Sequence, residues 1–318
     1  MSHALKVLWI VIGSIFALGL VLAAVGFALG ASGSAWFDSH GLHFGSRENS
    51  FVELTDTSTA PFENIDVALI EADVEILVGN DYGYEFTYLG MNQPEVSVRN
   101  GTLKVTEQND NWRINIFGFW SWRNWSILNT SATLKVFVPK DADLKNVGLS
   151  TASGDTILNS NQINIKNLDC KSVSGNVLLS NLDLERLTLD VASGDVDLIN
   201  VTARRADINL MSGNLTYRGA KLDSLTLNIA SGDMDLEGVI TDLLQLRMLS
   251  GNANILLTGS QDDYSFDVRR LSGTIRINGR TVHGDYDLPG TSSIPSASGR
   301  GGHIEIDTTS GDVDIDFR

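Results

Sequence analysis

The side chains in this chain with the clearest chemical potential are carboxylates and amides that follow a glycine at regular intervals. Oxygen donors in a row can hold calcium between neighbouring turns. The row also has a structural explanation, because aspartates alone would set like charges about 4.8 Å apart and interposed asparagines double that distance. We assign the row to structure and keep calcium as the alternative. Its members are Asp155, Asn176, Asp195, Asn214, Asp233 and Asn252.

Other residues that could perform catalysis do not form a recognisable constellation. The sequence has no Gly-x-Ser-x-Gly elbow, no phosphate-binding loop and no His-Glu-x-x-His pattern. His283 and His303 flank a late insertion, where a metal or acid-base site is an alternative to exposed loop ends. Cys170, the single cysteine, lies in an apolar column, which favours a buried structural thiol over a nucleophile. We predict no catalytic residue, no metal and no cofactor.

An aromatic loop over residues 110–131 is the most unusual stretch in composition. Tryptophan and phenylalanine at this density can stack on sugar rings or enter a membrane interface, and they can equally plug the end of a β structure. We take these aromatics as candidate binding residues: Trp112, Phe119, Trp120, Trp122 and Trp125.

A repeat positions the acidic and amide residues. Ser-Gly-Asp, or Ser-Gly-Asn or Ser-Gly-Thr, recurs at spacings of 21, 19, 19, 19, 19, 22 and 38, and the last spacing looks like two units with one turn overwritten by an insertion. We expect the Ser and Asp side chains to bond the backbone of their own corner. The predicted turn ladder contains Gly154, Gly175, Gly194, Gly213, Gly232, Gly251, Gly273 and Gly311, with Asp312 after the last.

Apolar residues alternate on both sides of each turn, as in Leu187-Thr-Leu-Asp-Val and Leu225-Thr-Leu-Asn-Ile. Alternation with period two, broken by a glycine corner, predicts strand, corner, strand. A unit of about 19 residues cannot bury its own apolar face, but stacked copies can. The sequence therefore predicts an all-β fold, a β-solenoid over residues 147–318 with an insertion at 283–302.

Residues 51–146 contain strand patterns without a fixed repeat, among them Val74-Glu-Ile-Leu-Val and Leu134-Lys-Val-Phe-Val. Solenoids need a divergent end to cover their first exposed coil. We therefore predict an irregular N-terminal β cap in this region.

The chain begins with an uncharged apolar run from Val7 to Leu29, which at 1.5 Å per residue is long enough to cross a bilayer. Lys6 precedes the run and no further lysine or arginine occurs before Arg47, so the positive-inside rule places the N-terminus in the cytoplasm. We predict one transmembrane helix within residues 1–30 and a linker at 31–50. A cleaved signal peptide is the alternative.

The overall charge limits the range of partners. A formal net charge of −16 opposes binding to nucleic acid and to anionic lipid by charge alone. The candidate partners left open are the membrane itself, a cell-wall polymer, a lipid surface and a membrane protein.

Several motifs together resemble the bacterial putative-adhesin family of β-strand-repeat envelope proteins. They are Asp73-Val-Glu-Ile-Leu, Val98-Arg-Asn-Gly-Thr-Leu-Lys-Val, Ala132-Thr-Leu-Lys-Val-Phe-Val-Pro139 and the Ser-Gly-Asp turns. The resemblance covers residues 64–318 and implies a β-solenoid displayed outside a membrane anchor, without established catalytic residues.

These observations predict a single-pass protein of the bacterial cell membrane, with a cytoplasmic N-terminus and an extracytoplasmic β-solenoid that acts as a non-enzymatic binding, adhesin-like or scaffold module. Two alternatives stay open. One is a sensory or regulatory ectodomain of an envelope-stress system, and the other is a carbohydrate-active enzyme.

Overall fold

The computed structural model describes residues 35–38, 41–44, 51–89, 93–108, 114–115, 132–160, 162–282, 291–294 and 302–318. Apart from one short 3-10 helix at Gln261–Asp263, its regular structure is β. The strands are β1 (Ala35–Asp38), β2 (Gly41–Phe44), β3 (Phe51–Asp56), β4 (Asn64–Glu71), β5 (Asp73–Gly79), β6 (Gly83–Leu89), β7 (Gln93–Arg99), β8 (Thr102–Gln108), β9 (Ile114–Asn115), β10 (Thr133–Pro139), β11 (Asp143–Ser153), β12 (Thr156–Asn159), β13 (Asn164–Ser174), β14 (Val177–Ser193), β15 (Val196–Ser212), β16 (Leu215–Ser231), β17 (Met234–Ser250), β18 (Ala253–Leu257), β19 (Ser265–Arg270), β20 (Ile275–Ile277), β21 (Arg280–Thr281), β22 (Thr291–Ile294), β23 (His303–Ser310) and β24 (Val313–Phe317).

The centre of the molecule is a regular parallel stack. Strands β14 to β17 each contain 17 residues, and each pairs with the next in parallel, with Val177 opposite Val196 and Val196 opposite Leu215. Because paired residues are 19 positions apart, equivalent residues of successive repeats lie directly above one another. The apolar positions of the repeats therefore form continuous buried rows along the stack. Leu189, Ile208 and Leu227 form one such row and have no exposed surface. The predicted all-β solenoid is confirmed.

Each coil has three sides, because the in-and-out alternation of side chains breaks at three places. In β15 these are the glycine corner after Ser212, a second corner at Asn200, whose φ is +53°, and a third at the adjacent exposed pair Arg204 and Arg205. We name the sides from the glycine corner. The pre-corner face ends at that corner, the post-corner face follows it, and the short face lies between the other two corners.

The order of coils in space differs from the order in sequence near the C-terminus. β23 pairs in parallel with both β17 and β19, and β24 pairs with both β18 and β20. The last strands of the chain therefore lie between two earlier ones. We number the layers by their corner glycines, so that layers 1 to 8 contain Gly154, Gly175, Gly194, Gly213, Gly232, Gly251, Gly311 and Gly273.

This order corrects the expectation of an overwritten turn between Gly273 and Gly311. The chain builds layer 8 first and then returns through residues 283–302 to fill layer 7. The spacing of two repeats reflects that return. The segment 283–302 lies largely outside the described residues.

The N-terminal end is interleaved in the same way. β4 and β5 form a layer against β11 and β12 on one side, and against β8 and β10 on the other. Parallel stacking thus begins at residue 64, before the predicted solenoid start at residue 147. This earlier start was not evident from the sequence, because antiparallel pairs separate these strands and interrupt the repeat. The pairs are β3 with β6 and β7 with β8.

The chain divides into two compact units, Phe51–Gln108 with Ser131–Arg318, and Met1–Ser50 with Asn109–Thr130. The first contains the solenoid. In the second, β1 pairs in antiparallel fashion with β2 and with β9. Within the described part of the chain no helix is long and apolar enough to span a membrane, and the apolar run at 7–29 lies outside that part.

Candidate functional site

The glycine corner leaves no room for a side chain. Gly194 has a φ of +140°, and a Cβ built there would lie 2.1 Å from the carbonyl oxygen of Gly175 in the layer below. L-amino acids rarely adopt this φ, and a carbon atom at that distance overlaps the oxygen. The repeated glycine therefore allows neighbouring backbones to approach along the whole corner.

The acidic and amide residues after these glycines form a continuous ladder between layers. The backbone N–H of Asn176 donates to Oδ1 of Asp155 at 2.7 Å, and that of Asp195 donates to Oδ1 of Asn176 at 2.9 Å. The pattern continues through Asn214, Asp233, Asn252 and Asp312 to the N–H of Thr274. The side chains thus bond the next layer's backbone, which corrects the expectation that they bond their own.

This ladder accounts for the row of oxygen donors without calcium. Each side chain uses one oxygen to satisfy an N–H that the glycine corner would leave unpaired. Among the described residues, no group of three or more His, Cys, Asp or Glu side chains is placed to hold a metal ion.

The second corner contains a hydrogen-bonded ladder that was not predicted from the sequence. Asn181 and Asn200 have φ values of +54° and +53°, and Gly219 takes the next place with +70°. Nδ2 of Asn181 donates to Asn159, and Nδ2 of Asn200 donates to Asn181 at 3.3 Å. The 19-residue spacing of these asparagines was the available signal, since Asn tolerates this conformation better than other residues with side chains.

An exposed apolar column runs along the pre-corner face, two residues before each corner glycine. Its large members, Val173, Met211, Leu249 and Leu271, are 60–65% exposed. Small residues occupy the layers between them. We call this column the apolar stripe. In layers 1 to 8 it reads Ala152, Val173, Ala192, Met211, Ala230, Leu249, Thr309 and Leu271.

The alternation in the apolar stripe depends on the interleaved order. In sequence, Leu249 is followed by Leu271, so two large residues come in succession. In space, Thr309 lies between them, since β23 pairs with both β17 and β19. Large and small residues therefore alternate through all the layers.

A groove of about 970 Å³ runs along the short face through layers 1 to 6. Its floor is apolar, and Leu144, Leu184 and Leu222 are nearly completely buried there. Its rims carry charges of both signs in equal number, so the groove has no net charge. The bases are Lys145, Lys166, Arg204 and Lys221, and the acids are Asp143, Asp183, Glu185 and Asp223.

A serine, a histidine and an aspartate meet on the pre-corner face at the C-terminal end. Oγ of Ser265 lies 2.9 Å from Nδ1 of His303, and Nε2 of His303 lies 3.5 Å from Asp267. A serine nucleophile also needs N–H donors for the developing oxyanion. The N–H of Ser265 instead donates to the carbonyl of Gly302 at 3.0 Å. The triplet therefore joins layers 7 and 8, and the N–H of Ser265 is not free to stabilise an oxyanion.

Two buried groups with raised pKa values belong to the core. Burial, and then the charge of Asp169, raises the pKa of the Cys170 thiol, which keeps it protonated and unreactive. Burial also raises the pKa of Tyr217, whose hydroxyl donates to the carbonyl of Val201 at 3.1 Å. The prediction of a structural cysteine agrees with its 1% exposure.

The candidate binding aromatics lie outside the described residues. These are Trp112, Phe119, Trp120, Trp122 and Trp125. The segment that contains them lies between β8 and β10 in the sequence. His283 also lies outside the described part of the chain.

Stacked layers, a glycine corner and long surface grooves define a β-solenoid of the kind that presents extended surfaces. The chain belongs to the Toastrack DUF4097 family, whose model matches residues 62–316. This confirms the resemblance to the putative-adhesin family. No curated protein matches the chain at a significant level.

Several solved structures are similar to this chain over most of its length. A putative adhesin from Bacteroides fragilis has 14% identity and a TM-score of 0.47, covering 85% of this chain and 98% of its own. A putative adhesin from Parabacteroides distasonis has 12% identity and a TM-score of 0.37, covering 85% and 98%. A putative lipid binding protein from the same species has 14% identity and a TM-score of 0.39, covering 84% and 97%. Sequence identities and TM-scores this low give no basis for assigning the ligand or function of these proteins to this chain.

Proposed function

We propose that this protein is a non-enzymatic binding or scaffold module of the bacterial cell envelope, held at the membrane by residues 7–29 with its solenoid outside the cytoplasm. The apolar run and the single lysine before it support the anchor. The family membership supports the class of module.

The observation that carries the binding function is the groove on the short face. Six layers at about 4.8 Å per step give it a length of about 24 Å. An apolar floor between charged rims suits an extended polymer segment, which would bury its apolar surface on the floor and place its polar groups at the rims. A peptide or glycan strand of the cell envelope has this shape.

The decisive side chain for a test is Arg204, an exposed base in layer 4 of the groove. Binding of the full chain to isolated cell wall and to liposomes, with and without calcium, is compared for the wild type and Arg204→Glu. Arg218→Glu is the matched control, since Arg218 is an exposed arginine of the same layer on the post-corner face. We expect Arg204→Glu to weaken cell-wall binding about tenfold and Arg218→Glu to leave it unchanged.

The same assay separates the groove from the aromatic loop. If Trp120→Ala/Trp122→Ala abolishes binding and Arg204→Glu does not, the aromatic loop is the binding surface and the groove is not. If both arginine variants lose binding equally, the effect is one of overall charge, and the groove proposal is wrong.

A further inference from the structure

We propose that the pre-corner face is a self-complementary surface through which two copies of this chain form an antiparallel dimer. The two-fold axis would run parallel to the strands and pass between layers 4 and 5. This operation places two pre-corner faces against each other and pairs layers whose numbers sum to nine. The inference goes beyond the proposed function and uses a different face from the groove.

The apolar stripe supports this register. Met211 of layer 4 would face Ala230 of the partner subunit in layer 5, and Leu249 of layer 6 would face Ala192 of the partner subunit in layer 3. Val173 would likewise face Thr309 of the partner subunit, and Leu271 would face Ala152 of the partner subunit. Every large side chain thus meets a small one, which is the arrangement that close packing requires.

The charged column beside the apolar stripe supports the same register independently. It lies four residues before each corner glycine, and its side chains point outward on the same face. Asp190 of layer 3 would face Arg247 of the partner subunit in layer 6, and Lys171 of layer 2 would face Asp307 of the partner subunit in layer 7. Asn209 would face Asn228 of the partner subunit, an amide pair. Opposite charges therefore meet wherever two charges meet in this column.

A third outward column lies six residues before each corner glycine. It contains one like-charged pair, between Asp169 and Glu305 of the partner subunit. Each of these carboxylates already has a neighbour within its own chain. Asp169 lies 3.5 Å from Nζ of Lys171, and Glu305 accepts from Nε2 of Gln245 at 2.6 Å. The other pairs of the column join at most one charged residue to an uncharged one, as in Asp207 with Thr226 of the partner subunit.

The area of the face suits a specific dimer of modest affinity. Eight layers at about 4.8 Å and three columns at about 6.8 Å cover about 780 Å² on each copy. Typical specific interfaces bury about 800 Å² per partner. Because both copies have the same rise per layer, the register holds along the whole face. The interleaving of β23 is essential, since without it two large residues of the stripe would be neighbours.

Charge reversal tests the register in the full chain in detergent micelles. Sedimentation measures dimer formation for Asp190→Arg, for Arg247→Asp, and for an equimolar mixture of the two. Each variant alone places two like-charged pairs in the dimer by symmetry, so we expect about tenfold weaker association. In the mixture, both pairs regain opposite charges, and we expect wild-type affinity. Reversals that leave association unchanged, or a mixture that does not recover, overturn the proposal.

Cysteine crosslinking in membranes with a short bis-maleimide reagent tests the geometry directly. Two differently tagged chains, Ala192→Cys and Leu249→Cys, are produced together and treated with the reagent, while the native Cys170 is only 1% exposed. We expect a link between the two chains, because facing residues of stacked sheets lie about 10 Å apart. Neither chain should link to itself, because identical positions would also be three layers apart, at about 18 Å.

A third measurement identifies other occupants of the face. A wild-type chain that stays monomeric at about 100 µM overturns the proposal, since an interface of this size supports association below that concentration. If Met211→Glu then lowers binding to neutral lipid vesicles, the face contacts lipid. Self-linking of Val173→Cys chains, whose identical positions would be five layers apart in the proposed dimer, would indicate another register and contradict the antiparallel one.

Discussion

The centre of the solenoid and its two ends are built from the same coil but are closed by different contacts. In layers 3 to 6, each strand pairs with the strand one repeat away, as Leu189 does with Ile208. In layers 7 and 8, pairing joins Gln245 to Glu305 and Val268 to Ile306, across much longer loops. The centre can form by pairing of strands that are close in the sequence, whereas each end is complete only after a distant segment has paired there.

Covered ends have a physical advantage over a solenoid whose last coil is left exposed. A terminal coil that pairs on one side only exposes a row of backbone donors and acceptors. Here β20 at one end pairs in antiparallel fashion with β21, and β8 at the other pairs with β7. The outermost strands are thus covered by antiparallel hairpin partners that are adjacent in the sequence, which discourages end-to-end growth.

We expect the largest loss of stability from a deletion at the C-terminal end, which is compared with a deletion in the centre. Removal of residues 303–318 takes away layer 7, with four completely buried side chains, among them Ile304 and Ile306. We expect the free energy of unfolding to fall by more than about 5 kcal/mol and residues 265–282 to become sensitive to protease.

The matched control removes more chain from the centre. Deleting residues 196–233 removes two whole repeats, lets β14 pair with β17 in the same register and preserves the alternation of Asp and Asn. We expect a folded solenoid with a smaller loss of stability. If the central deletion is the more damaging of the two, the centre is not modular and the comparison fails.

Substitution of corner glycines gives the next largest effect. A Cβ at Gly311, where φ is +124°, would lie 1.7 Å from the carbonyl oxygen of Gly251, and one at Gly213 would lie 2.0 Å from that of Gly194. We expect Gly311→Ala and Gly213→Ala each to lower the free energy of unfolding by about 4 kcal/mol. Only Gly311→Ala should also expose layer 8 to hydrogen exchange.

Gly259 distinguishes the cost of an unfavourable φ from the cost of steric overlap between layers. Its φ is +134°, but a Cβ there would meet nothing within 4 Å. We expect Gly259→Ala to cost only about 1 kcal/mol in thermal or chemical unfolding. An equal cost at Gly259 and Gly213 would mean that backbone conformation, and not close approach of layers, selects the glycine.

Two asparagines with positive φ, Asn200 at the second corner and Asn278 in the turn between β20 and β21, offer a smaller contrast. Asn200 in the centre donates one hydrogen bond to Asn181, whereas Asn278 in layer 8 donates to Gln261 and accepts from the N–H of Phe317. Glycine retains the positive φ at both positions. We expect Asn278→Gly to cost about 1 kcal/mol and Asn200→Gly a few tenths, as measured by urea unfolding. The opposite order would show that the ladder matters more than the end contacts.

The smallest effect at neutral pH comes from Cys170 in layer 2, and it becomes measurable only at alkaline pH. Because the pKa of Cys170 is raised in the folded chain, the unfolded chain ionises first. Stability from this group is complete below the unfolded thiol pKa of about 8.5 and falls above it by up to about 1.4 kcal/mol per pH unit. Unfolding of Cys170→Ala between pH 8 and 10 should lack this decline. A decline that is the same in the variant would assign it to other groups, such as Tyr217.

Much of the centre could be predicted from the sequence. The spacing of the Ser-Gly-Asp turns and the apolar columns beside them predicted a β-solenoid, because a regular repeat places equivalent residues in adjacent layers. The sequence also contained the second corner, in Asn181 and Asn200, but one asparagine in a repeat is a weak signal beside an invariant glycine. The candidate aromatic site stays a prediction.

The sequence by itself determined the repeat unit, its buried columns and its corner residues, since these depend on local conformation and on neighbours one repeat away. Only the tertiary structure decided the order of the layers at each end. That order depends on which distant strand fills a layer, and Thr309 between Leu249 and Leu271 shows why it could not be read along the chain. Local alternation specifies what a layer contains, whereas pairing across long loops specifies where the layer lies.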